Sequence, residues 1–182
     1  LRHILKRKYS FTIKKINNLV ELAQIYKLYI QNLKSKKNLV FPFSFFKEIY
    51  HSDKAEFLLA KENGVILGFS LFLNYSKHSH YYLSAVKFKS RNKNIAHYLL
   101  WKKLQDNYSN GIKKMQLGGT SKESPLSVFK RGWGAKAMPI YLITEVKKAN
   151  QKIKKSKARS LYGKLPLFIL PFVSKILWKK VL

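Results

Sequence analysis

The chain has 182 residues, with 37 Lys and Arg against 8 Asp and Glu for a formal net charge of +29, and it contains no cysteine. The length suits one domain with a real core, and the lack of cysteine excludes thiolate catalysis, cysteine-ligated zinc and disulfides. The charge points to an anionic partner (tRNA, the diphosphate of a nucleotide or of coenzyme A, or an anionic bilayer), against the plainer reading that lysines spread along the chain solvate its surface.

In chain order the pattern alternates α and β. Phe11–Ile16 is predicted as a first strand. Asn18–Lys34 is predicted as a helix, because Leu19, Leu22, Ala23, Tyr26, Tyr29, Ile30 and Leu33 recur at spacings of three and four. Asn18 with Glu21 marks its start as a capping box. Pro42 interrupts, and Ser44–Tyr50 forms a short second helix. Phe57–Lys61 and Val65–Leu73 flank Asn63-Gly64, a dipeptide that favours the type I′ hairpin turn. His80–Val86 supplies the next strand, Asn94–Asn110 the central helix closed by Gly111, and Lys113–Leu117 and Met138–Val146 the remaining strands.

The most informative stretch is Gln116–Ala135, QLGGTSKESPLSVFKRGWGA. It reads as an active-site loop. Gly118 and Gly119 permit positive φ and close backbone approach, so that peptide N–H groups can face a bound group. Thr120, Ser121 and Ser124 add short donors. Phe129-Lys130 sets a flat apolar ring beside a single positive charge, suited to holding an acyl chain and stabilising an oxyanion. The competing reading is an ordinary connection with a solvated lysine.

The run Gln116-Leu117-Gly118-Gly119-Thr120, then Ser124, then Phe129-Lys130-Arg131-Gly132-Trp133-Gly134-Ala135 resembles the FemAB-like branch of the GNAT superfamily, also described as the BioF2-like acetyltransferase domain. Gln116 and Gly119 depart from the acid and arginine frequent there, so no side-chain contact is carried over from either. Weaker similarity spans Phe11 to Glu145. The resemblance implies a GNAT-like α/β fold with a mixed central sheet flanked by helices. It also implies an N-acyltransferase that moves an acyl or aminoacyl group from acyl-CoA or aminoacyl-tRNA to an amino group on a cell-wall or envelope precursor. The resemblance assigns the transferred acyl group to Lys130 and Phe129; from the residues themselves Gly118, Gly119, Thr120 and Ser124 are read as substrate contacts, and Tyr141 as a donor to a leaving group or as a core tyrosine with a wet hydroxyl. Arg91-Asn92-Lys93-Asn94-Ile95-Ala96 is similar to the superfamily's phosphate loop, which assigns Arg91, Lys93, Asn94 and Ala96 to the donor. The alternative for that loop is an N-cap beside solvated lysines.

The general base is open; Glu123 and Glu145 are the carboxylates considered. His78-Ser79-His80 offers two ligands on one strand face without a third nearby, so no metal site is assigned. Two segments are expected: 1–146 as the acyltransferase domain and 147–182 as a basic linker with an amphipathic helical end. The chain begins at Leu1, and FemAB-like proteins commonly hold two tandem halves, so the resemblance implies a C-terminal half with an N-terminal half as partner. The end, LYGKLPLFILPFVSKILWKKVL, is broken by Pro166 and Pro171 and is too short to span a bilayer. It is read as lying on an anionic membrane, placing the protein in the cytoplasm at the inner face, or as docking on the missing half. A reading of another class is a non-catalytic basic module that binds tRNA or an anionic membrane surface.

Overall fold

The structure, a computed structural model, describes residues 9–141 and 157–178. Strand β1 (Thr12–Lys15) leads into α1 (Leu19–Ser35) and α2 (Phe43–Tyr50), followed by β2 (Ala55–Glu62), β3 (Val65–Tyr75) and β4 (His78–Val86). A 3-10 helix (Phe88–Lys93) precedes α3 (Ile95–Ser109), then come β5 (Lys114–Gln116), α4 (Pro125–Gly132), α5 (Lys157–Lys164) and α6 (Leu170–Trp178). The sheet runs β1-β2-β3-β4-β5; the first three pairings are antiparallel and β4–β5 is parallel.

Local chemistry explains the boundaries. The Asn18 side chain accepts the Glu21 N–H at 2.8 Å, capping α1 as its sequence predicts. Asn63 and Gly64 both take positive φ, 48° and 77°, which makes the β2–β3 turn the expected primed type. The segment 116–135 departs from the loop reading. From Pro125 onward it is helical, because Ser124 accepts the Ser127 N–H at its N-cap and Pro125 occupies the first turn, where its missing N–H costs nothing. No strand forms over 138–141, and the rest of the expected last strand lies outside the described residues.

Strand alternation divides two apolar layers. Phe57, Leu59, Phe69 and Leu71 face α1 and α2 in one cluster; Leu58, Ala60 and Phe72 face α3 in the other, with Ile95, Leu99 and Leu100. Residues from the C-terminal helices join the first layer. Tyr162 and Leu170 are buried there, and Ser174 Oγ accepts the Val40 N–H at 3.1 Å while sharing a 2.6 Å hydrogen bond with the Tyr162 hydroxyl.

Helix α3 sits close on the sheet because Gly68 leaves room for it. A Cβ at Gly68 would come within 2.9 Å of Ile95 Cγ2 and 3.1 Å of the Ala85 carbonyl oxygen. Ile95 is buried and cannot swing away. Gly68→Ala is therefore expected to push the first turn of α3 outward and to cost about 1–3 kcal/mol in urea denaturation. An unchanged midpoint would show that the contact is slack.

Candidate active site

The fold builds its opening where β4 and β5 part. Parallel pairing joins only His78–His80 to Lys114–Gln116. Beyond His80, β4 continues to Val86 bonded to β3 alone, so among the described residues its other edge keeps unpaired backbone N–H and C=O groups. Tyr82 lacks a partner on β3, since the register steps from Leu71↔Leu83 to Phe72↔Tyr81. His80 and Tyr82, two apart on the strand, share a face and are in contact, their rings perpendicular at 5.8 Å.

On the far side of the opening the chain leaves β5 through Gly118, which takes φ +70°. A Cβ there would stand 3.5 Å from His80 Nε2, so the imidazole packs directly over this turn. Lys130, on α4, reaches back to the same turn. Its Nζ donates to the Gly118 carbonyl at 2.7 Å and to the Gly119 carbonyl at 3.0 Å. The residue is buried, and that desolvation holds its pKa below the ordinary lysine value. Two of its three N–H bonds clamp loop backbone, which leaves one for a bound group. Partial burial, and then the positive charge of Lys130, push the His80 pKa below 6.5, so the ring is mostly neutral at pH 7.

The structure brings some expected site residues together and separates others. Lys130, Gly118 and Gly119 form one hydrogen-bonded unit. Thr120 Oγ1 and Ser124 Oγ lie 2.6 Å apart, but the Ser124 hydroxyl is engaged at the N-cap of α4 and donates to the Ser121 carbonyl at 3.0 Å. The Phe129 ring turns to α3 instead, with ring centroids 4.9 Å from His97 and 6.5 Å from Trp133. Its place is in the packing that carries Lys130, away from the clamp. Tyr141 is 82% exposed. Glu123 is exposed, and Glu145 lies outside the described residues.

A second group gathers before α3. Asn94 sits in the left-handed region at φ 55° as the N-cap, yet its side chain caps no N–H of the helix. The α3 N-terminus therefore has no side-chain cap; the Asn94 carbonyl accepts from the His97 and Tyr98 N–H at 2.9 and 3.2 Å, and half-buried Ala96 adds no bulk there. The Arg91 guanidinium lies 4.8 Å from the centroid of the exposed Phe88 ring. At the end of α1, Lys36 is partly desolvated and feels the charge of Arg91, and both effects lower its pKa. Lys93 is held elsewhere, its Nζ donating to both Glu62 carboxylate oxygens at 2.5 and 2.7 Å. His80 lies against the clamp, and the sequence marks it only as a histidine at the start of a strand, because the glycine turn comes near it only in the fold. Among the described residues no three His, Cys, Asp or Glu gather to hold a metal.

No protein-family model and no curated protein matches the sequence. Solved structures do match the fold. A ribosomal-protein-alanine N-acetyltransferase from Brucella melitensis biovar Abortus aligns with TM-score 0.59 at 18% identity over 75% of this chain and 100% of its own. A GNAT-family acetyltransferase from Staphylococcus aureus Mu50 gives 0.60 at 19% identity over 68% and 83%, and an aminoglycoside N-acetyltransferase in complex with CoA gives 0.61 at 15% identity over 77% and 97%. The mixed five-stranded sheet flanked by helices is the fold of GNAT acetyltransferases.

Proposed function

We propose, on the premise of this GNAT fold, that the protein is a CoA-dependent N-acyltransferase. The observation that carries the reading is the parting of β4 and β5 after His80. The free edge of β4 offers backbone hydrogen bonds to an extended, amide-bearing chain such as pantetheine, in the manner of an added strand. The α3 N-terminus, with Arg91 beside it, offers N–H donors and positive charge to a diphosphate. Bound acyl-CoA would supply a thioester as the acyl donor.

The chain's own residues then have separable tasks. Neutral His80 takes a proton from the incoming ammonium and frees its lone pair, as the C–N bond forms, the C–S bond breaks and the thiol leaves with a proton. Lys130 fixes the Gly118–Gly119 turn under His80, and its remaining N–H is the one left to meet a developing oxyanion. The amine acceptor is a class that includes the aminoglycosides and the ribosomal-protein alanine named for the structural neighbours. A narrower reading assigns the protein to the FemAB-like branch, with an aminoacyl-tRNA donor and an envelope precursor as acceptor. The Phe129-Lys130-x-x-Trp133-Gly134 run and the charge of +29 favour it.

Thiol release from acetyl-CoA, measured against a panel of amines, tests the first reading. Binding that prefers charged over uncharged tRNA, with no thiol release, would replace it with the second. Lys130→Met is expected to lower turnover about a hundredfold. Its cost in stability should be only about 1–2 kcal/mol, because the exposed glycine carbonyls it abandons can bind water. An unchanged rate would limit Lys130 to holding the loop.

A further inference from the structure

The C-terminal helices are apolar on two opposite sides. Leu170, Val173, Ser174 and Leu177 of α6 turn inward, Leu170 and Ser174 being fully buried and Val173 and Leu177 packing on the core of α1 and α2. The opposite stripe is apolar too. Phe168 is 82% exposed, Phe172 77% and Ile176 55%, and Leu161 on α5 is 64% exposed. A helix with apolar residues on both sides needs a second apolar neighbour, and among the described residues none covers this stripe. Exposed Lys164 and Lys175 flank it. The sequence contains no Asp or Glu after Glu145, while lysines recur through the same stretch.

From this pairing of bulky exposed apolar side chains with flanking lysines, we infer that the stripe formed by Phe168, just before α6, and by Phe172 and Ile176 on it is an interfacial membrane-binding face for anionic lipid. Phe168, Phe172 and Ile176 enter the headgroup–acyl boundary while the lysines meet anionic headgroups. Charge complementarity decides the occupant: a segment with lysines and no acid after Glu145 suits an anionic bilayer, and a second copy would bring the same lysines against it. No helix among the described residues is long and apolar enough to span a membrane, so the contact is peripheral.

The test is co-sedimentation of the full chain with phosphatidylcholine vesicles, with and without about a third phosphatidylglycerol, at 0.15 and 0.5 M salt. The protein should partition onto the anionic vesicles, weakly onto the neutral ones, and less at high salt. The Phe168→Ser, Phe172→Ser double variant should bind the anionic vesicles at least about tenfold more weakly with an unchanged melting curve, since both rings are exposed. Hydrogen exchange on the unmodified protein gives a readout independent of that variant: amides around 168–176 should gain protection with anionic vesicles. Equal binding by the variant, or no gained protection, would overturn the inference and reduce the effect to bulk charge. A concentration-dependent dimer abolished by the double variant, without vesicle binding, would overturn it in favour of a second copy.

Discussion

Replacing His80 with glutamine is expected to slow acyl transfer about a hundred- to a thousandfold while leaving donor affinity nearly unchanged. The imidazole accepts a proton only when neutral. Its pKa is pushed below 6.5 by desolvation and by Lys130, so the neutral fraction is high at pH 7 and declines as pH falls through that lowered value. The unmodified protein should therefore show a flat rate near neutrality and an acid limb below about pH 6.5. In the glutamine variant the limb should vanish along with most of the rate. Lys130→Met removes the neighbouring positive charge and should shift the limb of the residual activity to higher pH. A His80→Gln enzyme that kept both rate and limb would place the base elsewhere.

The second large effect concerns stability. Lys103 on α3 and Glu56 on β2 form a salt bridge under the sheet, with side-chain exposures of only 4% and 9%. Lys103 also lies over the Phe72 ring, 5.8 Å from its centroid. Burial alone would raise the Glu56 pKa. Hydrogen bonds from Lys103 and Lys15 outweigh it and hold the carboxyl below its usual 4.5. Glu56→Gln would leave the Lys103 ammonium buried without a counter-charge, at an expected cost of about 3–5 kcal/mol in urea denaturation. Replacing both partners, Glu56→Leu with Lys103→Met, should recover most of that loss, because the apolar pair incurs no charge desolvation. The pair also sets an acid dependence. A carboxyl with a depressed folded-state pKa contributes stability above its unfolded value, near 4.5, and loses it as pH falls through the folded value. The Glu56→Gln variant should show a shallower loss of stability below pH 4.5. An unchanged urea midpoint in Glu56→Gln would mean that water reaches Lys103.

These two sites show what was legible in the chain and what was not. The Asn18 cap and the Asn63-Gly64 turn act within four residues and could be read directly, whereas β2 and β3 are buried on both faces, so their apolar runs mark strands without assigning side chains to a layer. Helix α4 was missed although Ser124-Pro125 marked its start, because the nearby glycines favoured a loop reading. The β3–β4 turn was harder: it places Ser76 at φ 48° without a glycine to announce it. The Glu56–Lys103 pair joins residues 47 apart, and neither composition nor periodicity can show that two oppositely charged side chains share one buried space. The same holds for His80, whose role depends on a strand edge left open by β5 and on a glycine turn that arrives from elsewhere in the sequence. Of the expected loop residues, Lys130, Gly118 and Gly119 do meet, while Phe129 packs toward α3, since the helical turn between it and Lys130 sends adjacent side chains in different directions.

Calorimetric titration of the full chain with acetyl-CoA tests the central claim most directly, because donor binding at the opening between β4 and β5 precedes every catalytic role assigned above. Saturable binding to one site is expected, weakened by Arg91→Ala and left nearly intact by His80→Gln. The absence of saturable binding at millimolar acetyl-CoA would contradict the account.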